Sequence, residues 1–154
     1  MQAKIRLYEK GQGITLPKPV DLLRFNESDV RERLVQYGYS YDAELNVVEF
    51  VDWEVVRTMP LRDAYLLKVV LEKGYDGDET VLVYMLKSPK FTLDDCIFEL
   101  FKYEGNTEEN LLAMLLRNEL TRSRTKSFIN DLVSSLVEEK EMLQTPKGYY
   151  SRLV

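Results

Sequence analysis

Histidine is absent from this chain and cysteine occurs once, so the side chains left to do chemistry are carboxylates, hydroxyls and cations. Without histidine there is no ordinary general base for neutral pH and no imidazole to bind zinc. The single cysteine, Cys96, cannot complete a structural zinc site or an internal disulfide. Its neighbours Leu93, Ile97 and Leu100 are apolar, and Asp94 and Asp95 disfavour a thiolate, so Cys96 reads as a core residue. Two acidic groups, Asp76/Asp78/Glu79 and Asp94/Asp95, have the ligand type that magnesium takes. With no basic groups nearby to hold a phosphate, solvated turns and helix N-termini account for them more simply. Gly11-Gln12-Gly13 lacks the remaining glycine of a dinucleotide loop and the Gly-Lys-Ser/Thr ending of a phosphate loop, and it reads as a plain turn. No metal, cofactor or enzymatic activity is expected.

The elements that must carry these residues fit a small folded protein. Its 154 residues, 45% of them hydrophobic, suffice for one compact domain or two very small ones. No apolar run is long enough to span a membrane, and Met1 to Arg6 has no apolar stretch of the signal-peptide kind. A cytoplasmic, reducing setting is the expectation. The net charge of −5 argues against a protein that coats nucleic acid indiscriminately. The charge is uneven, however. Residues 1–116 hold 14 basic and 21 acidic residues, whereas residues 117–154 hold 7 basic and 5 acidic.

Along the chain, Ala3 to Tyr8 alternates as a half-buried strand, and Gly11, Gly13, Pro17 and Pro19 punctuate a loop. Asn26 to Asp29 offers helix caps ahead of Val30, Leu34, Val35 and Tyr37, with Gly38 as the stop. Leu45 to Trp53 reads as a strand, with Trp53 as an anchor of the N-terminal core. Pro60 fits a first helical turn, followed by a stripe of Ala64, Leu67, Lys68 and Leu71 that ends at Gly74. Asp76-Gly77-Asp78 is a turn. Thr80 to Leu86 suits a buried strand or a buried helix, and helix is favoured because Asp78 can cap it and Lys87 close it. Ser88-Pro89-Lys90 is the expected boundary between residues 1–88 and residues 89–154.

In the second part, Thr92 caps an expected helix with Leu93, Ile97, Leu100 and Phe101 on one face, stopped by Gly105. Asn106 to Glu109 starts the next, with Leu111, Leu112, Leu115 and Leu116 as its buried stripe and Ala113 where another helix approaches. After the connection Asn118 to Thr121, Thr121 or Ser123 caps a third helix bearing Phe128, Ile129, Leu132, Val133, Leu136 and Val137 on its apolar face. Two β-prone runs, Met142 to Thr145 and Tyr149 to Leu153, then flank Pro146-Lys147-Gly148 as a hairpin.

Three helices followed by a hairpin, with a short turn between the second and third, resembles the winged helix-turn-helix superfamily. The run Val137 to Leu143 is similar to the junction where such a third helix enters the wing, although many members place a glycine where this chain has Glu141. The expected fold is therefore α+β and mostly helical, a small N-terminal α/β module followed by a C-terminal winged helix-turn-helix. The resemblance implies that the third helix enters the major groove, with Arg122, Arg124 and Lys126 at its start and Asn130 a turn further on. Arginine pairs with guanine and asparagine with adenine, so these types suit base reading. Lys147 at the wing tip and Arg152 would meet phosphates. Cations at a helix N-terminus oppose the macrodipole, a cost that suggests a use for them.

The implied function is that of a non-enzymatic DNA-binding regulatory or replication/transcription accessory protein. Its N-terminal module would provide a homodimer or protein-partner contact. The alternative is a winged helix used as a protein-interaction adaptor or assembly subunit, and the overall acidity favours it.

Overall fold

A computed structural model describes residues 1–117 and 129–153 of the chain. It is an α+β protein, 40% helix and 29% strand among the described residues, so helix does exceed strand, but by less than the expected mostly helical composition. Two compact units are present, Met1–Ile97 and Phe98–Val154. The expected boundary at Ser88-Pro89-Lys90 lies inside the first of them.

The first unit is built on a five-stranded sheet. Strands β1 (Gln2–Glu9), β2 (Gln12–Thr15), β3 (Val20–Asp21), β4 (Glu44–Phe50) and β5 (Val55–Pro60) run in the order β2-β1-β4-β5, with β3 also paired to β1. Every pairing is antiparallel, so the unit is α+β rather than a parallel α/β module. Alternation in β1 buries Ala3, Ile5 and Leu7 and exposes Lys4, Arg6 and Tyr8, as a sheet with one covered face requires. Of Gly11-Gln12-Gly13, read as a plain turn, only Gly11 lies in the turn, which closes a hairpin, while Gln12 and Gly13 belong to β2. Lys10 and Gly11 both take positive φ, 51° and 77°, the backbone twist that a two-residue hairpin loop prefers. Strand β2 was not expected from its side chains, all exposed. Backbone pairing to β1 forms it.

Helix α1 (Glu27–Gln36) starts at Asn26, whose side chain accepts the Asp29 N–H while the Asp29 carboxylate accepts the Asn26 N–H. It ends as expected at Gly38, where φ is 91° and the Gly38 and Tyr39 N–H groups close onto Val35 and Leu34 carbonyls. Helix α2 (Leu61–Val69) follows Pro60 and continues as a π-helical turn, Val70–Gly74. It buries Leu61, Ala64 and Leu67, with Leu71 buried in the turn beyond. Thr80–Lys87 is helix α3, and the Asp78 carboxylate accepts the Thr80 N–H at 2.9 Å. Trp53 is 8% exposed and packs on Phe50 at 5.0 Å between ring centroids, an anchor of this core. Helix α4 (Leu93–Phe98) begins at Thr92, which exchanges hydrogen bonds with Asp95.

One expectation fails at this point. Leu100 and Phe101 do not continue the α4 helix, because Phe101–Gly105 is strand β6. Its partner is β8 (Gly148–Arg152), which also pairs with β7 (Met142–Thr145), giving a three-stranded sheet of order β6-β8-β7 in the second unit. Helix α5 (Glu108–Leu116) is capped by Thr107, and helix α6 spans Ile129–Glu138. Their core is Leu111, Met114, Leu115, Val133 and Met142, with Leu132, Leu136, Val137 and Tyr149 packed around it. The expected α5 stripe is corrected accordingly. Met114 is buried, whereas Leu112 and Leu116 are 41% and 48% exposed and Ala113 is exposed too. The buried positions Leu111, Met114 and Leu115 keep the spacing of one helix face, turned toward α6 and β7.

Candidate nucleic-acid interface

The second unit presents three surfaces of interest: the exposed face of α6, the β7–β8 hairpin and the outer strand β6. The hairpin exists because Thr145 pairs opposite Gly148 across a two-residue loop of Pro146 and Lys147. The Thr145 hydroxyl donates to the Gly148 carbonyl at 2.9 Å and accepts the Gly148 N–H at 3.2 Å, which locks the turn. Gly148 has φ 150°, and a Cβ there would strike the Gly105 backbone and the Tyr103 ring. Glycine is required by that close approach.

Helix α6 enters the hairpin through a left-handed residue. Lys140 has φ 62°, its N–H donates to the Val137 carbonyl at 3.1 Å, and the Glu141 N–H donates to the Leu136 carbonyl at 2.9 Å. That is the two-bond exit that glycine usually makes. In this chain Lys140, next to Glu141, makes the bend.

Of the residues implicated from sequence, Arg122, Arg124 and Lys126 lie outside the described residues, as do the connection Asn118 to Thr121 and Phe128. Asn130 is exposed in the first described turn of α6. Beyond it the exposed residues of α6 are Asp131, Ser134, Ser135 and Glu138, followed by Glu139, so this end of the helix face is acidic. Lys147 is exposed at the hairpin tip, with its ammonium 5.7 Å from the centre of the Tyr103 ring. Arg152 is only half-exposed. Its guanidinium stands 3.7 Å from Glu99 and 3.6 Å from Glu141, so its charge is met within the unit.

Sequence reading passed over Tyr103, Glu104 and Arg117. The Glu104 carboxylate receives the Arg117 guanidinium at 2.6 Å and the Ser151 hydroxyl, joining the end of α5 to β6 and β8. Burial pushes its pKa up, but the Arg117 and Ser151 hydrogen bonds, with the charges of Arg117 and Lys102, outweigh that and hold the pKa below its ordinary value. The alternation Phe101-Lys102-Tyr103-Glu104 was the available signal for a strand here.

Two of the acidic residues with magnesium-ligand chemistry, Asp78 and Asp95, have local structural partners. Asp78 accepts from Thr80, and Asp95 from Thr92. Among the described residues, no group of three or more Cys, Asp or Glu side chains is arranged to hold a metal ion. No helix among them is long and apolar enough to cross a membrane. Cys96 is fully buried in the first unit. Burial pushes its thiol up to about 11, with Asp95 adding to the shift and Arg57 opposing it.

No protein-family model, curated protein sequence or solved structure matches this chain.

Proposed function

We propose that residues 89–154 form a winged helix and that the protein is a non-enzymatic accessory factor that binds duplex DNA through it. The observation that carries this reading is the sheet order β6-β8-β7, with α5 and α6 packed beside it and an exposed lysine at the hairpin tip. DNA contact would be made by Arg122, Arg124 and Lys126, which precede α6 and its Asn130 in the sequence, and by the wing at Lys147. Arg152 drops out of the contact set, because Glu99 and Glu141 already neutralise it. The first unit supplies a homodimer or protein-partner surface in this reading. Val56 on the outer strand β5 is 82% exposed, and Tyr37 at the end of α1 is 68% exposed.

The test is a titration of the full chain with mixed-sequence duplex DNA across a range of salt. Four phosphate contacts would give a log–log slope near −3.6 per protomer, approximately. Replacing Arg122 and Arg124 by alanine should weaken binding and flatten that slope.

A second reading, a winged helix that contacts protein, is favoured by Asp131, Glu138 and Glu139 on the exposed side of α6 and just beyond. Exposed Leu112 and Leu116 on α5 favour it too. Unchanged affinity in the Arg122/Arg124 double variant would select it.

A further inference from the structure

We propose that Tyr103 is a positioning residue for the hairpin tip, which presents Lys147 to its ligand as a preformed ring-and-ammonium pair. Tyr103 sits in β6, opposite Tyr150 of β8, and its ring lies 5.1 Å from the Tyr150 ring. From that position it crosses to the neighbouring turn. Its hydroxyl donates to the Lys147 carbonyl at 3.2 Å, and its ring centre lies 5.7 Å from the Lys147 ammonium. The crossing is possible because Gly148 carries no Cβ, which would otherwise occupy the space the ring fills. The far side of the turn is closed by the two Thr145–Gly148 hydrogen bonds. Both the backbone and the side chain of Lys147 are thus tied to one aromatic ring, itself 43% exposed.

The chemistry follows from these contacts. A lysine on an untethered tip loses rotamer freedom when it meets an anion, and that loss weakens binding. A ring beneath the ammonium and a hydrogen bond on its carbonyl remove part of the loss in advance. Lys147 keeps its charge and supplies the electrostatic contact, while Tyr103 fixes where that charge stands. The ligand class, a nucleic-acid phosphate, rests on the DNA reading above. The brace itself does not.

The experiment has two arms on the full-length chain. In the first, the side-chain methylene resonances of Lys147 are assigned by NMR. They should be ring-shifted upfield in the wild type and in Tyr103→Phe, and should return to ordinary lysine positions in Tyr103→Leu. Unshifted resonances in the wild type overturn the proposal. In the second arm, mixed-sequence duplex DNA is titrated at two salt concentrations. Lys147→Ala should weaken binding and make the log–log slope shallower by about 0.9. Tyr103→Phe should weaken binding about threefold, the size of one exposed hydrogen bond, and leave the slope unchanged. In the Lys147→Ala background it should add nothing further. Independent, additive losses overturn the positioning role. Ring-shifted Lys147 signals with no duplex binding would uphold the brace and overturn the DNA reading alone.

Discussion

Arg152 is joined to Glu141 twice: its backbone N–H donates to the Glu141 carbonyl at 2.9 Å, and its guanidinium Nε lies 3.6 Å from the Glu141 carboxylate. The pair ties the last residue of β8 to the residue that leaves α6 for the hairpin. Glu99 approaches the same guanidinium at 3.7 Å from the segment before β6. Arg152, expected from sequence to meet a phosphate, thus has ion-pair partners within the second unit. Arg152→Ala should destabilise the second unit by up to about 1 kcal/mol, since the groups are partly exposed. The DNA salt slope should stay unchanged, and a flatter slope in that variant would return Arg152 to the contact set.

The exit of α6 carries a correctable strain. Lys140 adopts φ 62°, a conformation that costs an L-residue with a Cβ about 1 kcal/mol and glycine almost nothing. Lys140→Gly should slow native-state hydrogen exchange of the α6 and hairpin amides by an amount corresponding to about 1 kcal/mol. Faster exchange would show that the lysine side chain stabilises the exit more than its backbone strains it.

Glu104 gives the second unit a predictable acid response. Its folded-state pKa lies below the ordinary 4.5, held there against burial by Arg117 and Ser151. A depressed carboxylate contributes stability that is complete above the unfolded value and is lost as pH falls through the folded one. Stability of the second unit should hold from neutral pH to about pH 5 and then decline. Glu104→Gln should lower stability at pH 7 and lower it by less at pH 3. Equal destabilisation at both pH values would mean that the carboxylate charge contributes nothing there.

The rotation of α5 is testable by contrast. Leu115 is 1% exposed and Leu112 is 41% exposed on the same helix. Leu115→Ala should cost about 2–5 kcal/mol, as cavity-forming substitutions do. Leu112→Ala should cost under about 1 kcal/mol. Similar losses at the two positions would restore the stripe expected from sequence.

What the sequence determined by itself was local. Asn26, Gly38, Thr92 and Thr107 mark helix ends because caps and left-handed stops depend on a few adjacent residues. The β1 alternation and the hairpin around Pro146-Lys147 were legible for the same reason. The tertiary structure decided β6 against the helix that Leu93 to Phe101 suggested, although Phe101 to Glu104 alternates as a strand does. Phe101 to Gly105 is extended because its backbone pairs with β8, about fifty residues further along the chain, and no window around Phe101 contains that partner. Strand β2 is a milder case, since Gln12 to Thr15 holds one apolar residue, Ile14, itself exposed, so no buried pattern marks it and the pairing to β1 makes the strand. Which leucines of α5 are buried likewise depended on where Val133 and Met142 stand, because two adjacent apolar faces of one helix are equivalent until a neighbour covers one of them. The candidate site divides along the same line. The residue types of Asn130 and Lys147 were visible in the chain, whereas the neutralisation of Arg152 and the bracing of Lys147 by Tyr103 arise from strand pairing, which brings distant side chains within reach of one another.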